Sequence, residues 1–328
     1  MSKTFIEGGL IRHALNGPTM GTRWTAVFHA ERGFDAEPLR QALQAAVDEV
    51  DNQMSAWKPA SDMNRLSAAP AGEWLEVPRH LLAVLRLGVE IGQASGGAFD
   101  IGLGDAVSAW GFGPDTASAA RIRAARVARR RPAHELLEFG EGRVRKLARL
   151  VLDLNGIAKG YGVDRLSETL KHAGIASGLV GIDGEMRALG LRSDDTPWAI
   201  AVETPDPARR AAHAVLELED AAVATSGDYR HWIEAGGRRL SHTMDPRRGA
   251  PLENSPASVT VVAERCAAAD AWATALMVLG PERGAALAKQ RGLDALFLVR
   301  DSRGGAEDLP LGKLFAAGGA DAAGPECR

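Results

Sequence analysis

The sequence predicts an α+β fold in which largely antiparallel sheets are flanked by helices. Three observations carry that prediction. Short β-rich runs are separated by glycine-bearing turns such as Gly140-Glu141-Gly142 and Gly236-Gly237, a spacing that reads as hairpins. Helical periodicity is confined to a few blocks that do not alternate with strands as regular βαβ units. The length, 328 residues, suffices for one large core or two intimate ones. We expect one compact unit over residues 19–315, a weakly ordered lead-in over 1–18, and a disordered Ala/Gly-rich tail over 316–328.

Trp24–His29 is short and β-rich, hence a strand, and Met20-Gly21-Thr22 before it marks a turn or a close backbone approach. Leu39, Leu43, Val47, Val50 and Met54 recur at spacings of three and four, so Pro38–Met54 is an amphipathic helix. Pro59 ends that block and Ser61 can cap a following turn; Trp57 between them is a packing residue or a ligand contact. A second helix, Pro78–Ser95, has proline in its first turn and buries Leu81, Leu82, Leu85 and Val89. After Gly96-Gly97, the residues Ala98-Phe99-Asp100-Ile101-Gly102 form a tight loop, which can clasp a planar ligand or merely turn the chain. Six arginines fall within Arg121–Arg131, without interleaved aromatics, and read as a solvated helix face.

Leu150–Leu170 reads as an apolar strand ending in Asp153, an Asn155-Gly156 turn, and a helix from about Ala158. Such a turn presents backbone amides to phosphate, and Lys159 adds a positive charge at the helix start. It is neither a Walker A loop nor a dinucleotide fingerprint, since GxxxxGK[ST] and GxGxxG are absent. Strands follow at Gly178–Ile182, at Trp198–Val202, and from Ala222 into Thr225-Ser226-Gly227. His242 lies at a loop edge, where an imidazole is a functional group or a structural hydrogen-bonder. Then comes a buried strand, Val259–Ala263, and an Ala-rich helix, Ala267–Leu279, stopped by Gly280-Pro281. Asp270 and Thr274 lie four residues apart on one face of that helix. Carboxylate plus hydroxyl is an oxygen pair suited to Mg²⁺; the alternative is a solvated acid and a small packing residue. A helix, Pro281–Arg291, and a strand, Leu293–Arg300, complete the pattern.

Composition narrows the function classes. The net charge of −3 argues against nucleic acid as the main partner. Two cysteines, Cys266 and Cys327, imply neither a disulfide framework nor a thiolate metal cluster. No run approaches the ~20 apolar residues of a membrane span. The start lacks a signal core and a lipid-attachment cysteine, so the expected location is cytoplasmic, or periplasmic if the true start lies upstream.

The blocks gain force together. MGTRW (Met20–Trp24), MSAWKPASDMNRLS (Met54–Ser67), GGAFDIG (Gly96–Gly102) and LDLNGIAKGYGVD (Leu152–Asp164) precede ATSGDYR (Ala224–Arg230), HTMDPRRGAP (His242–Pro251) and ADAWATALMVLG (Ala268–Gly280). In order, spacing and content this set resembles the FAD:protein FMN transferases, the ApbE family, from roughly Asn16 to Phe315. The resemblance implies a cofactor cleft between two intimate subdomains. It also implies an enzyme that binds FAD and Mg²⁺, transfers FMN to a Thr or Ser hydroxyl of an acceptor protein, and releases AMP. By matching position, Asp270, Thr274 and the Gly156 carbonyl would hold the metal. Met20, Trp57, Ala98, Phe99, Asp100, Asp153, Lys159 and Met244 would contact FAD, with Trp57 stacking on the flavin. His242 would be the general base, and Met244 would point to its side if that segment is extended.

Two features depart from the family pattern. Asp183 in Gly181–Arg187 puts a charge where close backbone approach is expected, and the exported family members' leader is not seen. An FAD pyrophosphatase giving FMN and AMP, and a non-catalytic FAD-binding protein, are the alternatives to the transferase.

Overall fold

The computed structural model describes residues 9–206, 211–229, 232–235, 238–253, 256–301 and 305–316. Its frame is an eight-stranded sheet in the order Leu10–Thr19, Thr22–Glu31, Gly178–Ile182, Glu185–Leu189, Ala222–Gly227, Ser258–Ala263, Asp294–Arg300 and Ala306–Leu311. Every neighbouring pair is antiparallel. The α+β expectation holds: hairpins need only a turn, whereas parallel neighbours would need crossover units.

Helices Ala36–Met54, Ala158–His172 and Cys266–Arg291 cover one face of the sheet. Trp24, Ala26 and Phe28 are buried there against Leu39, Leu43, Val47, Val163, Leu166 and Leu170. The other face takes the hairpin Trp198–Glu203/Ala212–Leu218, with Trp198, Ile200 and Leu216 against Val223, Val262 and Leu298. A strand covered on both sides must be apolar on both sides, which is why Ser258–Ala263 reads as a continuous run.

A second core joins helices Asp62–Ala68 and Arg79–Ala94 to a small sheet in the order Trp74–Glu76, Arg143–Lys146, Leu137–Phe139. The helix Cys266–Arg291 serves both cores. Ala267, Ala271 and Ala275 pack into the second, while Ala269, Ala273 and Leu276 pack on the main sheet. Small side chains on two sides let one helix fill the space between two close-packed layers. Gly280 (φ 75°, ψ 175°) breaks it at the anticipated stop, and helix resumes to Arg291.

Three expectations are corrected. Residues 10–18 are not a loose lead-in: Leu10–Thr19 is an edge strand paired along its whole length with Thr22–Glu31. His13 stacks on Phe28 with ring centroids 5.2 Å apart, a cross-strand contact invisible in a segment containing Gly17 and Pro18. Met20 (φ 45°) and Gly21 (φ 72°) form its two-residue turn. Leu150–Asp153 joins no ladder among the described residues; the Asp153 N–H donates to the Ile101 carbonyl at 2.9 Å and the Gly104 N–H to Val151 at 3.0 Å. Ala316 belongs to a short helix, Lys313–Ala316, rather than to the tail. Residues 1–8, the Gly236-Gly237 turn and residues 317–328 lie outside the described residues. Among the described residues no helix is long and apolar enough to cross a membrane.

Candidate active site

The site is built where the N-terminal ends of Ala158–His172 and Cys266–Arg291 cross. A Cβ at position 160 would lie 2.7 Å from the Cys266 carbonyl carbon and 2.9 Å from the Ala267 Cα, so only glycine lets the two backbones meet. Asp164 then caps the second helix from the first. Its carboxylate accepts the Cys266 N–H at 2.9 Å and the Ala267 N–H at 3.1 Å, and Arg187 pairs with it. Arg265, preceding that helix, supplies no capping side chain of its own, so the orphan amides depend on Asp164. We expect Asp164→Ala to cost about 3–5 kcal/mol, because Arg187 and two amides lose a fully buried partner. Urea denaturation measures this; a loss under about 1 kcal/mol would show the cap to be dispensable.

Asp270 follows on the same helix, 5% exposed, its Oδ2 accepting the Gly160 N–H at 3.0 Å. The helix crossing buries it. Burial, then the nearby Glu185, push its carboxyl up to about 7 against the pull of Lys159. Glu185 is buried too: Oε1 accepts from Lys159 Nζ at 2.8 Å, and Oε2 has no hydrogen-bond partner among the described residues. Burial would lower the Lys159 pKa, but Glu185, Asp270 and Asp183 outweigh it and the ammonium stays charged. Lys159 is thus not an unengaged charge at a helix start. Asp183, in the left-handed region at φ 53°, reaches it at 3.4 Å. Three carboxylates face one ammonium, an excess of negative charge that a divalent cation would balance.

Thr274 lies one turn beyond Asp270, its hydroxyl 3.2 Å from Ser226 Oγ. A Cβ on Gly156 would be 3.0 Å from Thr274 Oγ1 and 3.2 Å from Phe99 Cε2, so turn, hydroxyl and ring are in contact. Among the described residues no three His, Cys, Asp or Glu side chains are arranged to hold a metal. A cation here would rely on the carboxylate of Asp270, the hydroxyl of Thr274 and the carbonyl of Gly156. This short, all-oxygen set fits Mg²⁺, which retains waters and takes few protein ligands. Cys266 is no nucleophile, because burial pushes its thiol well up from the ordinary range.

Ala98 and Phe99 are buried, and Ser95 Oγ accepts the Phe99 N–H at 3.0 Å. Asp100 Oδ1 accepts the N–H groups of Gly102 at 2.9 Å and Ala133 at 3.0 Å, so that oxygen pins the loop. Asp153 accepts the backbone and side-chain amides of Asn155 at 3.0 and 2.9 Å, and burial raises its pKa. The Met20 methyl lies 3.2 Å from where a Cβ on Gly162 would sit. Trp57 is 63% exposed, on a turn held by Asn64 Nδ2 donating to the carbonyls of Ser55, Ala56 and Lys58. Its indole face is open for stacking. The extended alternation of His242 and Met244 is corrected. Only Met244–Asp245 is strand, His242-Thr243 form a bend, and Met244 is buried with Leu103, Val107 and Ala125. Ser241 Oγ accepts the Thr243 N–H at 3.1 Å and the Thr243 carbonyl accepts from Leu252 at 2.9 Å, fixing the half-buried His242 between them.

The structure therefore joins Gly156, Phe99, Lys159, Asp270 and Thr274 in one cluster, with Met20 and Asp153 on the elements that carry it. Glu185, Ser226 and Asp164 were not singled out by sequence reasoning. A carboxylate opening the short strand Glu185–Leu189 was the available signal for Glu185, since a buried acid needs a partner.

The fold and this oxygen-lined cluster define an antiparallel α+β protein with an oxygen-ligand candidate site. The ApbE family model matches residues 20–297, so the chain belongs to the ApbE family. It is 36% identical over 295 residues to the FAD:protein FMN transferase of Vibrio cholerae serotype O1, covering 88% of each chain. With the FAD:protein FMN transferase of Klebsiella pneumoniae (strain 342) it shares 34% identity over 298 residues, covering 88% of this chain and 85% of that one. The flavinyl transferase ApbE of Pseudomonas stutzeri, apo form, aligns with a TM-score of 0.83 at 38% identity, covering 94% of this chain and 97% of that one. The flavin transferase ApbE from Vibrio cholerae gives the same TM-score at 33% identity, covering 94% and 99%.

Proposed function

We propose that this protein transfers the FMN half of FAD to a Thr or Ser hydroxyl of an acceptor protein, with Mg²⁺, releasing AMP. One observation carries the reading: Asp270 and Thr274 lie one turn apart on the helix that crosses at Gly160, with Gly156 against Thr274, in a chain that matches an FAD:protein FMN transferase over 88% of its length. When bound, Mg²⁺ would neutralise pyrophosphate charge. Asp270, Thr274 and the Gly156 carbonyl would hold it. Trp57 would stack on the flavin, and Ala98, Phe99 and Met20 would line its pocket, while Asp100 and Asp153 would set the loops around it. Lys159, held by Glu185, would direct its charge at the phosphates. His242 would take the proton of the acceptor hydroxyl as the oxygen attacks the FMN phosphorus and the bond to AMP breaks.

The test is to incubate FAD and Mg²⁺ with the enzyme, with and without a Thr-bearing peptide, and assay AMP. We expect AMP only with the peptide, and a peptide heavier by FMN phosphate ester. AMP without peptide would mean an FAD pyrophosphatase, and FAD retention without AMP under either condition would mean a binding protein.

A further inference from the structure

The arginine-rich segment divides into two populations. Arg121 pairs with Asp115, Arg130 with Asp105, and Arg131 with Glu135. Arg123, Arg126 and Arg129 are exposed and form no ion pair among the described residues. Beside them Val127 is 80% exposed, a large apolar side chain left in water. Self-neutralised arginines are ordinary solvation, but unpaired ones around an apolar side chain on a chain of net charge −3 are not.

The mounting of this segment matters most. The helix Ala119–Val127 buries Ala125 in the cluster that holds Met244, two residues from His242. Gly249 clamps the contact: its own φ is 55°, and a Cβ there would collide with the Ala125 carbonyl and with the Arg130 guanidinium. Trp110 Nε1 donates to the Gly249 carbonyl at 3.0 Å, and Arg130 donates to Ala125. The unpaired arginines are therefore fixed to the His242–Pro251 segment rather than carried on an independent loop. Arg247, on the same turn as Gly249, adds another exposed guanidinium.

We propose that Arg123, Arg126, Arg129 and Arg247, with Val127, form the docking surface for an acidic acceptor protein, which presents its hydroxyl to His242. This rests on the transferase reading and names the partner's chemistry: a segment rich in Asp and Glu around the modified residue. Charge complementarity selects that occupant. The stretch lacks the aromatics with which single-stranded nucleic acid stacks.

The experiment compares two 15-residue peptides with one central Thr, flanked by Asp/Glu or by Lys. Against them stand the wild type and a triple variant, Arg123→Glu/Arg126→Glu/Arg129→Glu. These side chains are exposed, so circular dichroism and FAD affinity should match wild type. Peptide binding is read by fluorescence anisotropy, separately from flavin attachment. We expect wild type to prefer the acidic peptide at least about tenfold at low salt, and the variant to lose or invert that preference. The preference should fade near 1 M salt, where the Debye length is about 3 Å. Equal binding of both peptides by wild type, or an unchanged preference in the variant, overturns the proposal. So does arginine-dependent binding of oligo(dT) or of phosphatidylserine vesicles without binding of the acidic peptide. If acidic-peptide binding depends on the arginines but no flavin is attached, the docking surface stands and the transferase reading fails.

Discussion

His242→Ala should lower the rate of flavin attachment by ~10²–10⁴, the usual range for losing a positioned general base. FAD affinity should stay near wild type, because a base acts on the acceptor hydroxyl rather than on the donor. Ser241 Oγ accepts the Thr243 N–H and the Thr243 carbonyl accepts from Leu252 whatever stands at position 242, and circular dichroism checks that the variant keeps its fold. The wild-type rate should fall on acidification, since protonating a general base removes the accepting lone pair. The variant should lack that limb. Single-turnover kinetics at several pH values decide the matter. An unchanged rate would make His242 a structural hydrogen-bonder, and a loss of FAD binding would make it a donor contact instead.

Asp270→Asn should remove Mg²⁺-dependent turnover, with a loss of about 10² or more. Asparagine keeps an oxygen for the Gly160 N–H, so the helix crossing survives, which Asp270→Ala would not guarantee. A readout besides activity is thermal stability. Saturating Mg²⁺, at about 100 times its dissociation constant, should stabilise wild type by about 2.7 kcal/mol and leave the variant unmoved. The metal-free protein adds a pH signature. The folded carboxyl, pushed up to about 7, binds its proton more tightly than the unfolded one. Its contribution therefore favours folding at low pH and is progressively lost as pH rises from about 4 to about 7. Asp270→Asn should be less sensitive to pH over that window. Equal Mg²⁺ stabilisation of both proteins would place the metal elsewhere.

Much of this was legible in the chain. The helices announced themselves by leucine and valine spacing, and glycine turns between β-rich runs announced hairpins. The pairing of Asp270 with Thr274 followed from helical pitch alone. Where reading failed, the deciding contacts were remote in sequence. His13 on Phe28 turns a nondescript lead-in into an edge strand. Asn155 occupies Asp153, and Gly102 and Ala133 occupy one oxygen of Asp100, so two carboxylates assigned to FAD also serve their own loops.

By itself, the sequence determined what is periodic or motif-borne: the antiparallel α+β class, the Ala-rich helix, its stop at Gly280, and the family to which the chain belongs. Local sterics and hydrophobic spacing act over a few residues, and the chain order of motifs survives folding unchanged. Only the tertiary structure decided that Asp270 is buried by the crossing at Gly160, and that Asp164 caps a helix 102 residues away. It alone showed that Glu185 claims Lys159 and that Arg123, Arg126 and Arg129, which form no ion pair among the described residues, belong to a segment packed against Met244 and Gly249. Those outcomes depend on which charges share a low-dielectric space. Burial and pairing are properties of three-dimensional proximity, to which no local pattern gives access.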